Sequence, residues 1–162
     1  MASTSLKGPD QTEKMLALAA LVLLAAVGTA VVRGQPHWAQ VPVLIWLHLA
    51  TILIAVILTP VMMLRRRGDS PHRLLGWIWC LSLAATALLS FGIRHMNQGG
   101  LSLIHILSAW TLVQVPWIIW TARKHRHDAH RRAVRGMAIG ALIVAGFFTF
   151  PYGRMLGAWL FG

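Results

Sequence analysis

Five apolar runs separated by short polar connections leave this chain very few ways to fold. They cover Met15–Val32, Val41–Leu64, Leu74–Ile93, Leu101–Ala122 and Gly136–Gly153. Each is close to the ~20 residues that cross a ~30 Å hydrocarbon core at ~1.5 Å per residue. No run alternates with a period of two, and backbone in lipid must satisfy its own hydrogen bonds, so helices are expected rather than strands. The composition agrees, with 57% of the 162 residues hydrophobic and 12% charged. These features predict an all-α integral membrane protein with five transmembrane helices.

A net charge of +11 in a soluble protein would point to nucleic acid, but here its distribution points to a membrane surface. All but Arg33, Arg94 and Arg154 of the 15 lysines and arginines fall on one side of the five-helix arrangement. The positive-inside rule places that side in the cytoplasm, with the N-terminus inside and the C-terminus outside. The acids Asp10, Glu13, Asp69 and Asp128 share the basic side. The excess is therefore a belt suited to anionic lipid, and no nucleic-acid partner is expected. Trp38, Trp46 and Trp159 fall near the outer boundary and Trp77, Trp79, Trp117 and Trp120 near the inner one, as interfacial aromatics do. Cys80 is the single cysteine, so no intrachain disulfide can form.

Residues 41–154 contain an internal repeat. The first copy, about 41–97, reads His48, Pro60, Arg65-Arg66-Arg67, His72-Arg73 and Arg94. The second, about 98–154, reads His105, Pro116, Arg123-Lys124-His125-Arg126, His130-Arg131 and Arg154. Such a repeat predicts a duplicated (2+2) four-helix core related by an axis along the membrane normal. Residues 1–14 form a cytoplasmic tail, 15–40 an extra first helix and outer loop packed outside that core, and 155–162 a short outer tail. Lys7, Lys14 and the stretch ending Gly28-Thr29-Ala30 also resemble a secretory signal peptide, but the run is read as a true membrane helix.

Depth sorts the histidines into two layers. His48 and His105 lie within the outer halves of their helices, and His72 and His130 lie at the cytoplasmic boundary, with His95 beside Arg94 at the outer one. Small residues line the same faces: Gly76, Ala87 and Ser90 with His72, Thr51 and Ala55 with His48, and Ser108 with His105. One histidine from each of two facing helices is the arrangement that gives a haem iron two axial imidazoles. Arginines at the bundle ends, Arg94 and Arg154 outside and Arg73 and Arg131 inside, suit the propionates. The cofactor expected is haem b, one group or two.

The chain from about 41 to 154 resembles the bacterial domain-of-unknown-function 2306 family of membrane proteins. The likeness rests on Ser70-Pro71-His72-Arg73-Leu74-Leu75-Gly76, Leu101-Ser102-Leu103-Ile104-His105-Ile106-Leu107-Ser108, His130-Arg131-Arg132 and Pro151-Tyr152-Gly153-Arg154. It implies a bacterial inner-membrane location and no particular activity. The four-helix core is also similar to the cytochrome b561 class of transmembrane electron carriers. That resemblance implies that His48 pairs with His105 and His72 with His130, and that electrons pass across or within the bilayer, with a quinol or another redox partner as donor. Here five helices stand where that class has six, and the inner histidines are shallower.

Other uses of the same residues compete with this one. His48, His95 and His105 would make an outer zinc or copper site with an open fourth position. His72 and His130 would meet headgroups if they were simply interfacial side chains. A chain this small, with short connections, also suits an accessory subunit of a larger membrane complex. Transport is disfavoured because the midplane positions near Ala55, Ala84, Leu112 and Val144 are apolar. No phosphate loop, nucleophile elbow or paired carboxylates are present, so any catalysis would be redox or metal-based.

Overall fold

The computed structural model describes residues 8–93, 103–151 and 153–162. Helix α1 (Gln11–Arg33) starts four residues before the first apolar run because Asp10 and Glu13 form a capping box. The Asp10 carboxylate accepts from the Glu13 N–H at 3.2 Å, and the Glu13 carboxylate accepts from the Asp10 N–H at 3.1 Å. A 3-10 turn at Gln35–Gln40 leads into α2 (Val43–Leu64). Gly68, with φ of 84°, turns the chain into α3 (Ser70–Ser90), where Asp69 caps the helix by accepting from the His72 N–H at 2.8 Å.

Helix α4 (Leu103–Arg123) ends in a Schellman arrangement. The Arg126 N–H donates to the Thr121 carbonyl at 3.0 Å, and the His125 N–H donates to the Ala122 carbonyl at 3.1 Å. His125 occupies the left-handed position, φ 53°, where glycine is usual. Pro60 and Pro116 lie inside α2 and α4, at matching places in the two copies.

The five-helix prediction fails at the last run. Among the described residues, four helices are long and apolar enough to cross a membrane, α1 to α4. In place of a fifth, α5 (His127–Ala138) begins in the polar sequence ahead of the run and is followed by a π-helical stretch at Ile139–Val144 and a single turn, α6 (Ala145–Phe147). Gly136, Gly140 and Gly146 weaken helix propagation there, and Pro151 follows. Gly140 is also needed for close approach, since a Cβ there would lie 2.6 Å from the Trp110 ring. The segment runs along α4 and α1 and delivers the chain to α7 (Met155–Phe161), which packs on α1.

The first helix is likewise not an outlier beside a duplicated core. Leu16, Ala17 and Ala20 of α1 pack on Val56 and Met63 of α2 and on Ala138. Further along, Val27 and Ala30 meet Leu49 and Leu156. The bundle of long helices is thus α1–α4 in chain order, with the shorter 127–147 segment beside it.

Its packing runs opposite to that of a soluble bundle. Inside are Ala17, Ala20, Ala30, Ala55, Thr59, Ser82, Thr86 and Ala87; outside are large apolar side chains such as Leu18, Leu81, Leu88 and Val113, each at least 60% exposed. Small residues allow helices to approach closely where burial itself gains little, and a surface of leucine and valine needs lipid as its solvent. Trp79 departs from the interfacial expectation. It is buried, and its indole N–H donates to the Thr59 hydroxyl at 3.0 Å.

Candidate functional site

At the end away from the basic loops, α3 is joined to both neighbours by hydroxyl pairs. Thr86 bonds Thr51 of α2 at 2.8 Å, and Ser90 bonds Ser108 of α4 at 2.6 Å. One turn from each partner hydroxyl lies a histidine, His48 three residues before Thr51 and His105 three before Ser108. The structure therefore turns equivalent faces of the two copies towards the same helix.

His48 is half-buried, with Nδ1 3.1 Å from the Thr86 carbonyl oxygen. A carbonyl can only accept, so Nδ1 carries the proton and the neutral ring presents the Nε2 lone pair. His105 is buried, its ring 5.6 Å from that of Phe91.

The basic end repeats the device on the other two elements. His130 of α5 donates from Nδ1 to the Ile118 carbonyl of α4 at 3.1 Å, again leaving Nε2 as the free lone pair. Burial lowers the His130 pKa below the ordinary histidine value, which favours the neutral ring. His72 is half-buried within electrostatic reach of His130, and its Nδ1 is buried with no hydrogen-bond partner among the described residues. Anchoring one ring nitrogen on a carbonyl is how proteins orient a histidine for ligation through the other.

The arginines assigned to propionates divide. Arg94 lies outside the described residues, as does His95 of the alternative metal site. Arg154 stands at the start of α7, and Arg73 is exposed in the first turn of α3. Arg131 is already committed, with Nε and a terminal nitrogen 2.8 and 2.9 Å from the Glu13 carboxylate.

That carboxylate is the feature sequence reasoning missed. Glu13 is 2% exposed and is held by Arg67 of the α2–α3 turn and by Arg131 and Arg135 of α5, while Asp10 pairs with Arg135 and Arg131. The Arg135 guanidinium beside Asp10 lowers that carboxyl's pKa below the usual range. The D-x-x-E pattern is a signal that could have marked the helix start at Gln11 rather than Met15, but nothing local points to partners more than a hundred positions away.

The two anchored rings, His48 and His130, stand at opposite ends of the bundle, so each would need a second ring, from His105 or His72, to hold one porphyrin iron; a bare ion would need more donors still. Among the described residues, no group of three or more His, Cys, Asp and Glu side chains lies together, and Trp79 is the one tryptophan, tyrosine or phenylalanine buried in the core. No family model, curated protein or solved structure matches the chain, so neither resemblance gains support from these comparisons. Together the fold and its lipid-facing surface define a multi-pass all-α membrane protein.

Proposed function

We propose that this protein is a b-type haem electron carrier of a bacterial inner membrane, with His48 and His105 serving one haem and His72 and His130 a second. The observation that carries the proposal is the paired anchoring of His48 on Thr86 and His130 on Ile118, which fixes two neutral rings at opposite ends of the bundle with Nε2 available. Haem bound there would supply one-electron chemistry at two depths. The chain's part is to hold the rings in one tautomer, to surround them with small residues such as Gly76, Ala87 and Ser90, and to keep most water out.

Membrane orientation follows from the charge. The end bearing Arg65, Arg66, Arg67, Arg123, Lys124 and Arg126 faces the cytoplasm together with the N-terminus, and the α7 end faces out. A quinol is the electron donor most compatible with a carrier embedded in this way.

The deciding experiment is a dithionite-reduced minus oxidised absorbance spectrum of protein purified in mild detergent, with haem counted per chain. Sharp α and Soret bands are expected. Replacing either His48 or His105 by Ala should remove the haem of that end while the protein still inserts. A flat spectrum from protein produced with ample haem would overturn the proposal and favour an accessory subunit.

A further inference from the structure

The turn after α4 carries three cations with no acid assigned to them. Arg123, Lys124 and Arg126 are exposed, and among the described residues none forms an ion pair. Two of them are nonetheless placed. The Arg126 guanidinium lies 4.7 Å from the Trp120 ring centre, and that of Arg123 lies 5.7 Å from Trp77 on α3. The Schellman cap through His125 fixes this geometry, folding Arg126 back over the end of its own helix. A guanidinium resting face-on against an indole still has its edge N–H groups free for an oxyanion.

Beside these cations, an open groove of about 480 Å³ lies on the exposed face of α4. The α4 groove is lined by Val113, Gln114, Pro116, Trp117 and Trp120, with the Trp117 and Trp120 rings stacked at 4.9 Å. Pro116 lacks the N–H of an ordinary helical residue and interrupts the outer surface here. The groove is apolar except for Gln114, and Trp120, which lines it, is also the ring against which Arg126 rests.

We infer that this corner is a binding site for one anionic phospholipid, its phosphate held by Arg123 and Arg126 and one acyl chain laid in the Pro116–Trp120 groove. Charge complementarity selects the occupant, because the cations lie at the membrane boundary with no ion pair among the described residues and the groove beside them is apolar. The site makes no use of the histidines, so it stands or falls independently of haem.

The test is native mass spectrometry of the full chain released from mixed micelles containing phosphatidylglycerol or phosphatidylcholine. The Arg123→Gln/Arg126→Gln double variant is compared with Arg66→Gln/Arg132→Gln, which removes the same charge from exposed positions of the same end. Retained phosphatidylglycerol should fall about tenfold in the first and no more than about twofold in the second. Trp120→Leu, which keeps every charge, should also weaken retention by removing the face that holds Arg126. Equal losses in the two double variants would reduce the site to diffuse surface charge, and equal retention of phosphatidylcholine would remove the role of the lipid's net negative charge; either result overturns the inference.

Discussion

Two groups of arginines at the same end of the bundle meet opposite fates. Arg67, Arg131 and Arg135 close around the buried Glu13 and its neighbour Asp10, whereas Arg123 and Arg126 lie on tryptophan rings and form no ion pair among the described residues. Composition makes these groups look alike. Their difference lies in what the fold brings to them: the first receives the start of α1, and the second receives lipid. Charge density alone therefore says little about a basic loop in a membrane protein until its acids are located.

The largest way to break this contrast is to remove the central carboxylate. Glu13→Gln leaves three guanidinium groups crowded around a neutral amide, and breaking a buried ion pair from one side costs about 3 kcal/mol. The melting midpoint in detergent should fall accordingly; an unchanged midpoint would mean that the cluster is not holding α1. Arg135→Gln keeps Arg67 and Arg131 on Glu13 and should cost about 1 kcal/mol. By the same measurement Arg126→Gln should cost less than about 0.5 kcal/mol, because it touches no buried partner.

Acid should separate the two corners without mutation. The folded-state pKa values of Asp10 and Asp69 are lowered first of all by Arg135 and Arg65, respectively. The stability each contributes is present above its ordinary carboxylate pKa and is lost as pH falls through the lowered value. Acid titration of the wild type should therefore show a destabilising step in that range which is diminished in an Asp10→Asn/Asp69→Asn variant, and the Arg123–Arg126 corner should contribute nothing to it. The smallest expected effect is that of His125→Gly. Relief of the left-handed strain is nearly offset by added chain freedom, for a net gain of about 0.5 kcal/mol or less, seen as a slight rise in melting midpoint.

Much of the scaffold was legible in the sequence. The second, third and fourth apolar runs became α2, α3 and α4, although α3 begins at Ser70, ahead of its run, where the Asp69 cap and first-turn Pro71 carry a signal that apolar length does not. The final run misled because apolar length says nothing of helix continuity, and Gly140 is accommodated by a π-helical stretch against Trp110. Depth along each helix placed the histidines in two layers. It could not show which carbonyl each ring would find, since Thr86 and Ile118 contribute only their backbones and the backbone leaves no mark in composition. Trp79 shows the same limit, since its place along the chain suited an interfacial ring and its direction around the helix made it a core residue.

The first helix is fastened at both ends to segments made more than a hundred residues later. Glu13 and Asp10 await Arg131 and Arg135, and at the far end the Arg33 guanidinium donates to the Leu160 carbonyl at 2.5 Å. During synthesis α1 emerges well before these partners exist, so its docking waits until residues 131–160 are made. A ribosome stalled before residue 131 would hold α1 without the α5 arginines that latch it.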